Sequence, residues 1–297
     1  MSKLRGKRPE RKPQLVRLGH REIETLGLSQ GFWSDLYHRS MTVYWPVFFG
    51  SAAAVFVVLN AVFGFLYSLG HEPIANAAGN GPLAYFYFSI ETLATVGYGD
   101  MHPQSNYGHL IATIEIFTGM CFLAVMTGLI FARFSRPRAR FIFARHPVVT
   151  THQGQRTLMI RVANARDNTI SQATARLWLF RMERTLEGRQ YRRYHELLLE
   201  RREHPMFGLS WSIFHTIDET SPLYRMTAQD LAEVDAAFAL NLSGVDDSSA
   251  QHLYARQLYS GHDIKWQHRY VDISSVSPAG RMVIDYSMFH EVEPEDE

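Results

Sequence analysis

Cysteine is nearly absent: Cys121 stands alone in 297 residues. A single thiol excludes an intrachain disulfide and a cysteine cluster for a metal, and Cys121 reads as a small core residue. A second absence is larger. From Met41 to Ala132 there is neither lysine nor arginine. A water-facing fold does not do without long cations over such a stretch, because part of it must meet solvent. Enzyme signatures are missing as well. The chain holds no P-loop, no dinucleotide fingerprint and no nucleophile elbow. Fourteen histidines invite a metal reading, but HELLLERREH (195–204) lacks the HExxH spacing. An enzyme is not expected, nor is a cofactor. Net charge is +1, which names no partner and gives no reason to expect nucleic acid. The first forty residues are basic and polar, without the apolar core of a cleavable signal peptide.

What is present is concentrated. Two apolar runs, Trp45 to Gly70 and Leu110 to Phe134, fill most of the cation-free window, the second passing its end by Arg133 and Phe134. Each is long enough to cross about 30 Å of hydrocarbon at about 1.5 Å per residue. Cations crowd the outer flanks, with Lys3 to Arg39 before the first run and, from the last residues of the second onward, Arg133, Arg136, Arg138, Arg140 and Arg145. The connection between the runs has none, so both termini are expected in the cytoplasm of a multi-pass protein of the cell inner (plasma) membrane. Trp45 and Tyr44 suit an interfacial anchor. Phe32, Trp33, Leu36, Tyr37 and Ser40 recur at roughly helical spacing, with Ser34-Asp35 as a cap. Residues 31–44 therefore read as an amphipathic helix on the membrane surface, or as the first turns of the membrane helix.

After Pro137 the texture turns β-rich. Segments such as TLMIRVAN, ARLWLFRME, GLSWSIFHTI and AFALNLSG are separated by Glu187-Gly188, Gly244-Val245-Asp246-Asp247 and Ser277-Pro278-Ala279-Gly280. An all-β sandwich over 137–297 is expected. A short helix is expected over 231–237, and a loose acidic tail at EVEPEDE. The expected organisation is a basic segment over 1–30, a surface helix over 31–44, a membrane domain over 45–136 and the sandwich.

Between the two runs lies GPLAYFYFSIETLATVGYGDMHP. Leu83 to Ala94 is apolar but too short to span, so it reads as a re-entrant helix with Pro82 at its first position. Non-helical backbone at membrane depth persists only when buried in protein or lining water. In TVGYG, Gly97 and Gly99 accept positive φ and alternate with Val96 and Tyr98. That alternation turns successive carbonyls to one side. Four copies about an axis would stack these oxygens into rings able to replace the hydration shell of K⁺. Thr95 adds a hydroxyl oxygen at the inner end, and the Tyr98 ring is expected to pack on the pore helix.

TVGYG resembles the filter signature of potassium channels. SIETLATVGYGD, the ARFSRPRAR junction and FWSDLYHRSMTVYWPVFF narrow the resemblance to the inward-rectifier potassium channels, in particular the prokaryotic branch. The resemblance covers the chain from about residue 30. It implies a membrane α-helical pore, with two transmembrane helices, a re-entrant pore helix and a filter, joined to an immunoglobulin-like cytoplasmic sandwich. It implies a homotetramer, gating by lipid and the cytoplasmic domain, and K⁺ held by filter carbonyls as the only bound metal. Thr95, Val96, Gly97, Tyr98 and Gly99 would form the filter. Glu91 and Asp100 would support it, sharing a proton behind it. Leu123 and Thr127 would line the cavity, with Phe131 as the gate. Arg133, Arg136, Arg138, Arg140 and Trp45 would meet anionic lipid such as phosphoinositides, with the sign of the effect open. Leu123 stands where strong rectifiers carry an acid, so block by polyamines or Mg²⁺, and rectification, are expected to be weak. No membrane helix carries arginine at every third position, so no voltage sensor is expected. Gly119 and Gly128 admit either bending or close packing, and Glu115 either a functional role or a structural hydrogen bond.

Overall fold

The computed structural model describes residues 14–18, 21–25, 32–77, 81–136 and 140–295. Two compact units emerge: Leu28–Arg136, and Met1–Gly27 with Pro137–Glu297. The basic stretch 1–13 and Arg138 lie outside the described residues. β1 (Gln14–Leu18) and β2 (Arg21–Thr25) pair as an antiparallel hairpin.

In the helical unit, α1 (Phe32–Thr42) and α2 (Trp45–Ser68) are separate helices. Tyr44 between them is extended, and Pro46 occupies the first turn of α2, where a missing N–H loses nothing. The stretch is thus an independent helix, not the first turns of α2. Ser34 and Asp35 fall within α1, which runs Phe32–Thr42, and not before its start. α4 (Asn106–Phe134) starts four residues before the expected Leu110. Ser105 is extended there, and its Oγ accepts the Gly108 N–H at 3.1 Å. Between the long helices, β3 (Ile74–Ala75), α3 (Pro82–Leu93) and β4 (His102–Pro103) form the re-entrant segment, with β3 and β4 paired antiparallel. Phe63 and Tyr67 of α2, Ala84, Phe88 and Leu93 of α3, and Ile111 and Ala112 of α4 make the small core of this unit. Cys121 is exposed on α4 and not in a core, because α4 is apolar on more sides than it has neighbours in one chain.

The second unit is a sandwich of two five-stranded sheets. One holds β8 (Ile170–Arg184), β9 (Gln190–Leu197), β10 (Glu203–Phe207), β12 (Ala237–Asp246) and β13 (Gln251–Ser260). Long β8 lies beside β12 along one edge and beside β9 and β10 in turn along the other. The facing sheet holds β5 (Phe141–Phe143), β6 (Val148–His152), β7 (Gln155–Asn164), β11 (Ser210–Thr216) and β14 (Lys265–Trp266). Alternation along β7, β8 and β12 sends Leu158, Ile160, Val162, Ala175, Leu177, Leu179, Phe238, Leu240 and Leu242 into one core. The short helix α5 (Ala228–Glu233) starts three residues before the expected Leu231, because Thr227 and Asp230 form a reciprocal capping box. Nor is the acidic tail loose as far as Glu295. β15 (His268–Tyr270) pairs with β18 (Val292–Pro294), and the Glu295 carboxylate accepts the Thr151 N–H at 2.9 Å. β16 (Ser274–Val276) and β17 (Met282–Ile284) close a hairpin whose turn holds Gly280 at positive φ.

Candidate functional site

α3 stops at Leu93, and the chain changes handedness at once. Thr95 has φ 56°, Gly97 56° and Gly99 85°, whereas Val96 and Tyr98 stay outside the positive-φ region. This is the alternation expected from the glycine spacing, extended by one residue to a threonine. A left-handed non-glycine residue costs roughly 1–2 kcal/mol, and hydrogen bonds hold this one. Ala94 N–H donates to Ile90 O at 3.0 Å, Thr95 N–H to Thr92 O at 3.1 Å, and Val96 N–H to Glu91 O at 2.8 Å. Glu91 O and Thr92 O, two of the carbonyls left over at the end of α3, are thereby used. A trans peptide holds C=O opposite to N–H. With the Val96 N–H turned back on α3, the Thr95 carbonyl of the same peptide points away from it. The Gly97 N–H, 3.4 Å from Glu91 O, does the same for the Val96 carbonyl.

The surroundings are less closed. Tyr98 is 76% exposed within a single chain. Glu91 is half-buried and Asp100 exposed. Among the described residues no hydrogen bond joins the two carboxyl groups. The main chain at Asp100 is held instead, its carbonyl accepting from Asn76 Nδ2 at 2.6 Å.

On α4, Leu123, Thr127 and Phe131 fall at i, i+4 and i+8 and form one exposed line within a single chain. Leu123 is 63% and Phe131 71% exposed. Gly119 is the reverse case. A Cβ there would lie 2.4 Å from the Leu93 carbonyl oxygen, so this glycine serves close packing of α4 on the end of α3. Gly128 has nothing within 4 Å.

The arginines at the end of α4 differ among themselves. Arg133 is buried, and its guanidinium donates to Ser40 O, and to Val43 O at 2.6 Å. It also lies 4.4 Å from the Trp45 ring centre and 4.6 Å from that of Phe48. A cation thus satisfies the carbonyls at the C-terminal end of α1, where the helix dipole favours it. Arg136 is exposed, 3.4 Å from Met41 O, and Arg140 is exposed. Sequence reasoning missed this use of Arg133, since nothing in α1 announces its partner. It also missed Asn60, Tyr67 and Ser89, which are fully buried with Glu115. Polar residues inside otherwise apolar segments were the available signal.

Comparison with known proteins gives the lineage. Residues 141–296 match the family described as "Inward rectifier potassium channel C-terminal domain", and residues 52–136 match "Ion channel". The chain is 38% identical to "Inward rectifier potassium channel Kirbac3.1" of Paramagnetospirillum magnetotacticum, over 96% of this chain and 98% of that protein. It is 28% identical to "Inward rectifier potassium channel 4" of Mesocricetus auratus, covering 88% of this chain and 67% of the relative. Identity is 31% to "G protein-activated inward rectifier potassium channel 3" of Homo sapiens, over 71% of this chain and 56% of the relative. With two spanning helices, a re-entrant filter segment and a β-sandwich matched along its whole length, this chain belongs to the inward-rectifier potassium channel family.

Proposed function

We propose that four copies of this chain surround one axis and conduct K⁺ through Thr95, Val96, Gly97, Tyr98 and Gly99. The observation that carries the reading is the alternating φ of that segment, with the Thr95 and Val96 carbonyls turned away from α3. One copy supplies one file of oxygens, and only a ring of copies surrounds an ion. The exposed Tyr98 ring then rests on a neighbouring copy. Glu91 and Asp100 support the filter from behind. Leu123 and Thr127 line the cavity, and four Phe131 rings close it as a dewetted gate. With leucine at 123 the cavity attracts polyamines and Mg²⁺ weakly, so rectification is weak. The protein lies in the plasma membrane with both termini in the cytoplasm and α1 at the interface. Anionic lipid such as phosphoinositide acts through Arg136, Arg138, Arg140 and Trp45, while Arg133 ties the gate helix to α1. The experiment is ⁸⁶Rb⁺ uptake into liposomes holding the purified protein, with Na⁺ as competitor. Wild type takes up Rb⁺ in preference to Na⁺, and Gly97→Ala or Gly99→Ala abolishes that preference, because a methyl group opposes positive φ. Selective uptake by either variant would refute the carbonyl-ring mechanism.

A further inference from the structure

Four polar side chains from three helices meet where no water reaches them. Asn60 and Tyr67 come from α2, Ser89 from α3 and Glu115 from α4, and each is fully buried. The chain has no lysine or arginine between Met41 and Ala132, and Arg133, at the far end of α4, is spent on Ser40 O and Val43 O, so no lysine or arginine of these three helices balances a carboxylate at Glu115. An unpaired buried charge is strongly disfavoured.

The hydrogen atoms can be counted. Asn60 Nδ2 donates to Phe56 O at 2.7 Å, which sets the orientation of the amide and leaves its Oδ1 facing Ser89. Ser89 Oγ lies 3.0 Å from Asn60 Oδ1 and also touches Glu115 Oε1. Tyr67 Oη donates to Glu115 Oε2 at 2.7 Å. The serine hydroxyl has one hydrogen and two acceptors. With an ionised carboxylate, either Asn60 Oδ1 or Glu115 Oε1 faces the serine oxygen with no hydrogen between them. With a proton on Glu115 Oε1 every contact is filled: Glu115 donates to Ser89, Ser89 to Asn60, Asn60 to Phe56 O, and Tyr67 to Glu115 Oε2.

We infer that Glu115 is a neutral carboxylic acid whose hydrogen bond to Ser89 makes it the positioning residue of the filter. Ser89 stands two residues before Glu91, whose carbonyl oxygen receives the Val96 and Gly97 N–H groups. One turn along α4, Gly119 backs onto the Leu93 carbonyl. α4 therefore holds α3 at two levels, by a hydrogen bond at Ser89 and by backbone contact at Leu93. The Tyr67 ring packs edge-on against Phe88, ring centres 5.2 Å apart, and steadies the same turn. The consequence for conduction rests on the channel reading; the protonation state does not.

Two measurements test this. The infrared difference spectrum of wild type minus Glu115→Gln shows the C=O stretch of a protonated carboxyl, which a carboxylate lacks. If only carboxylate bands disappear in the variant, the neutral acid is refuted. The second is Rb⁺ against Na⁺ flux in liposomes. Gln at 115 still donates to Ser89 and accepts from Tyr67, so Glu115→Gln keeps wild-type selectivity. Glu115→Leu and Ser89→Ala break the chain of hydrogen bonds and lose Rb⁺ preference, with the assembly checked by size exclusion. If Glu115→Leu does not assemble, Ser89→Ala decides alone, since it removes only one oxygen. Wild-type selectivity in Ser89→Ala, or loss of selectivity in Glu115→Gln, overturns the positioning role. Absence of Rb⁺ flux in wild type would count against the channel reading and leave the infrared result standing.

Discussion

The two units of this chain place apolar residues in opposite ways. In the sandwich, Leu158, Ile160, Leu177, Phe238 and Leu240 are buried and charged side chains line the outside. In the helical unit, Val47, Phe49, Val57, Val58, Phe65, Leu110 and Phe117 face outward, while Asn60, Ser89, Glu115 and Gly119 are buried. Only 22% of the apolar window of α2 and 11% of that of α4 is buried. The sandwich is held by removal of apolar surface from water. Lipid is as apolar as leucine, so the helices gain nothing from that term and rely on close backbone approach and internal hydrogen bonds.

The sharpest way to break this contrast is at Gly119. Gly119→Ala places a methyl group 2.4 Å from the Leu93 carbonyl oxygen. Overpacking against backbone costs roughly 1–3 kcal/mol in each copy, so most Rb⁺ flux should be lost. Gly128→Ala meets nothing within 4 Å and should leave assembly intact. Unchanged flux in Gly128→Ala would also exclude hinging at that position.

Truncation separates the units next. Ile160→Ala, in the sandwich core, should destabilise by about 2–5 kcal/mol, read as a fall in the thermal midpoint of the full chain in detergent. Val58→Ala, at an exposed position of α2, should change stability by less than about 1 kcal/mol. A large effect of Val58→Ala would mean that a second copy, not lipid, covers that face.

At the junction, neutralising Arg136 and Arg138 to Gln should weaken the response of flux to phosphoinositide and leave Rb⁺ over Na⁺ selectivity unchanged. Each cation near an anionic surface is worth about 1 kcal/mol. If instead insertion falls while the inserted protein responds normally, the two arginines serve topology alone.

The smallest effect is one of pH and belongs to the sandwich. His215 is buried, with Nδ1 2.7 Å from Leu198 O and Nε2 2.7 Å from Ser221 Oγ. Burial holds its pKa below the ordinary 6.5, against weaker upward pulls from the Leu198 carbonyl and Asp218. The folded form therefore resists a proton that the unfolded chain accepts. Stability is complete above about 6.5 and falls as the pH drops below it. His215→Asn should flatten that part of the profile of thermal midpoint against pH. An unchanged slope would assign the acid sensitivity elsewhere.

Much of the candidate site was legible in the sequence alone. TVGYG carried its own φ alternation in its glycine spacing, and the cation-free window marked both spans. The limits of α4 and α5 were not legible by hydrophobicity, because Ser105 and the Thr227–Asp230 pair start those helices earlier than the apolar pattern does. β13 was missed outright: half-exposed on a sheet edge, it alternates weakly.

Local chemistry by itself determined the lengths of the spans, the turn of the filter and the β-rich half, since each depends on residues adjacent in the chain. Tertiary structure alone decided which polar groups are buried together. Ser89 lies 29 residues from Asn60 and 26 from Glu115, and Tyr67 lies 48 from Glu115. No periodicity reaches across such gaps. The same holds for Arg133, whose partners at Ser40 and Val43 precede it by 93 and 90 residues. A hydrogen bond depends on where two atoms lie in space, and only the packing of α1, α2, α3 and α4 brings these together.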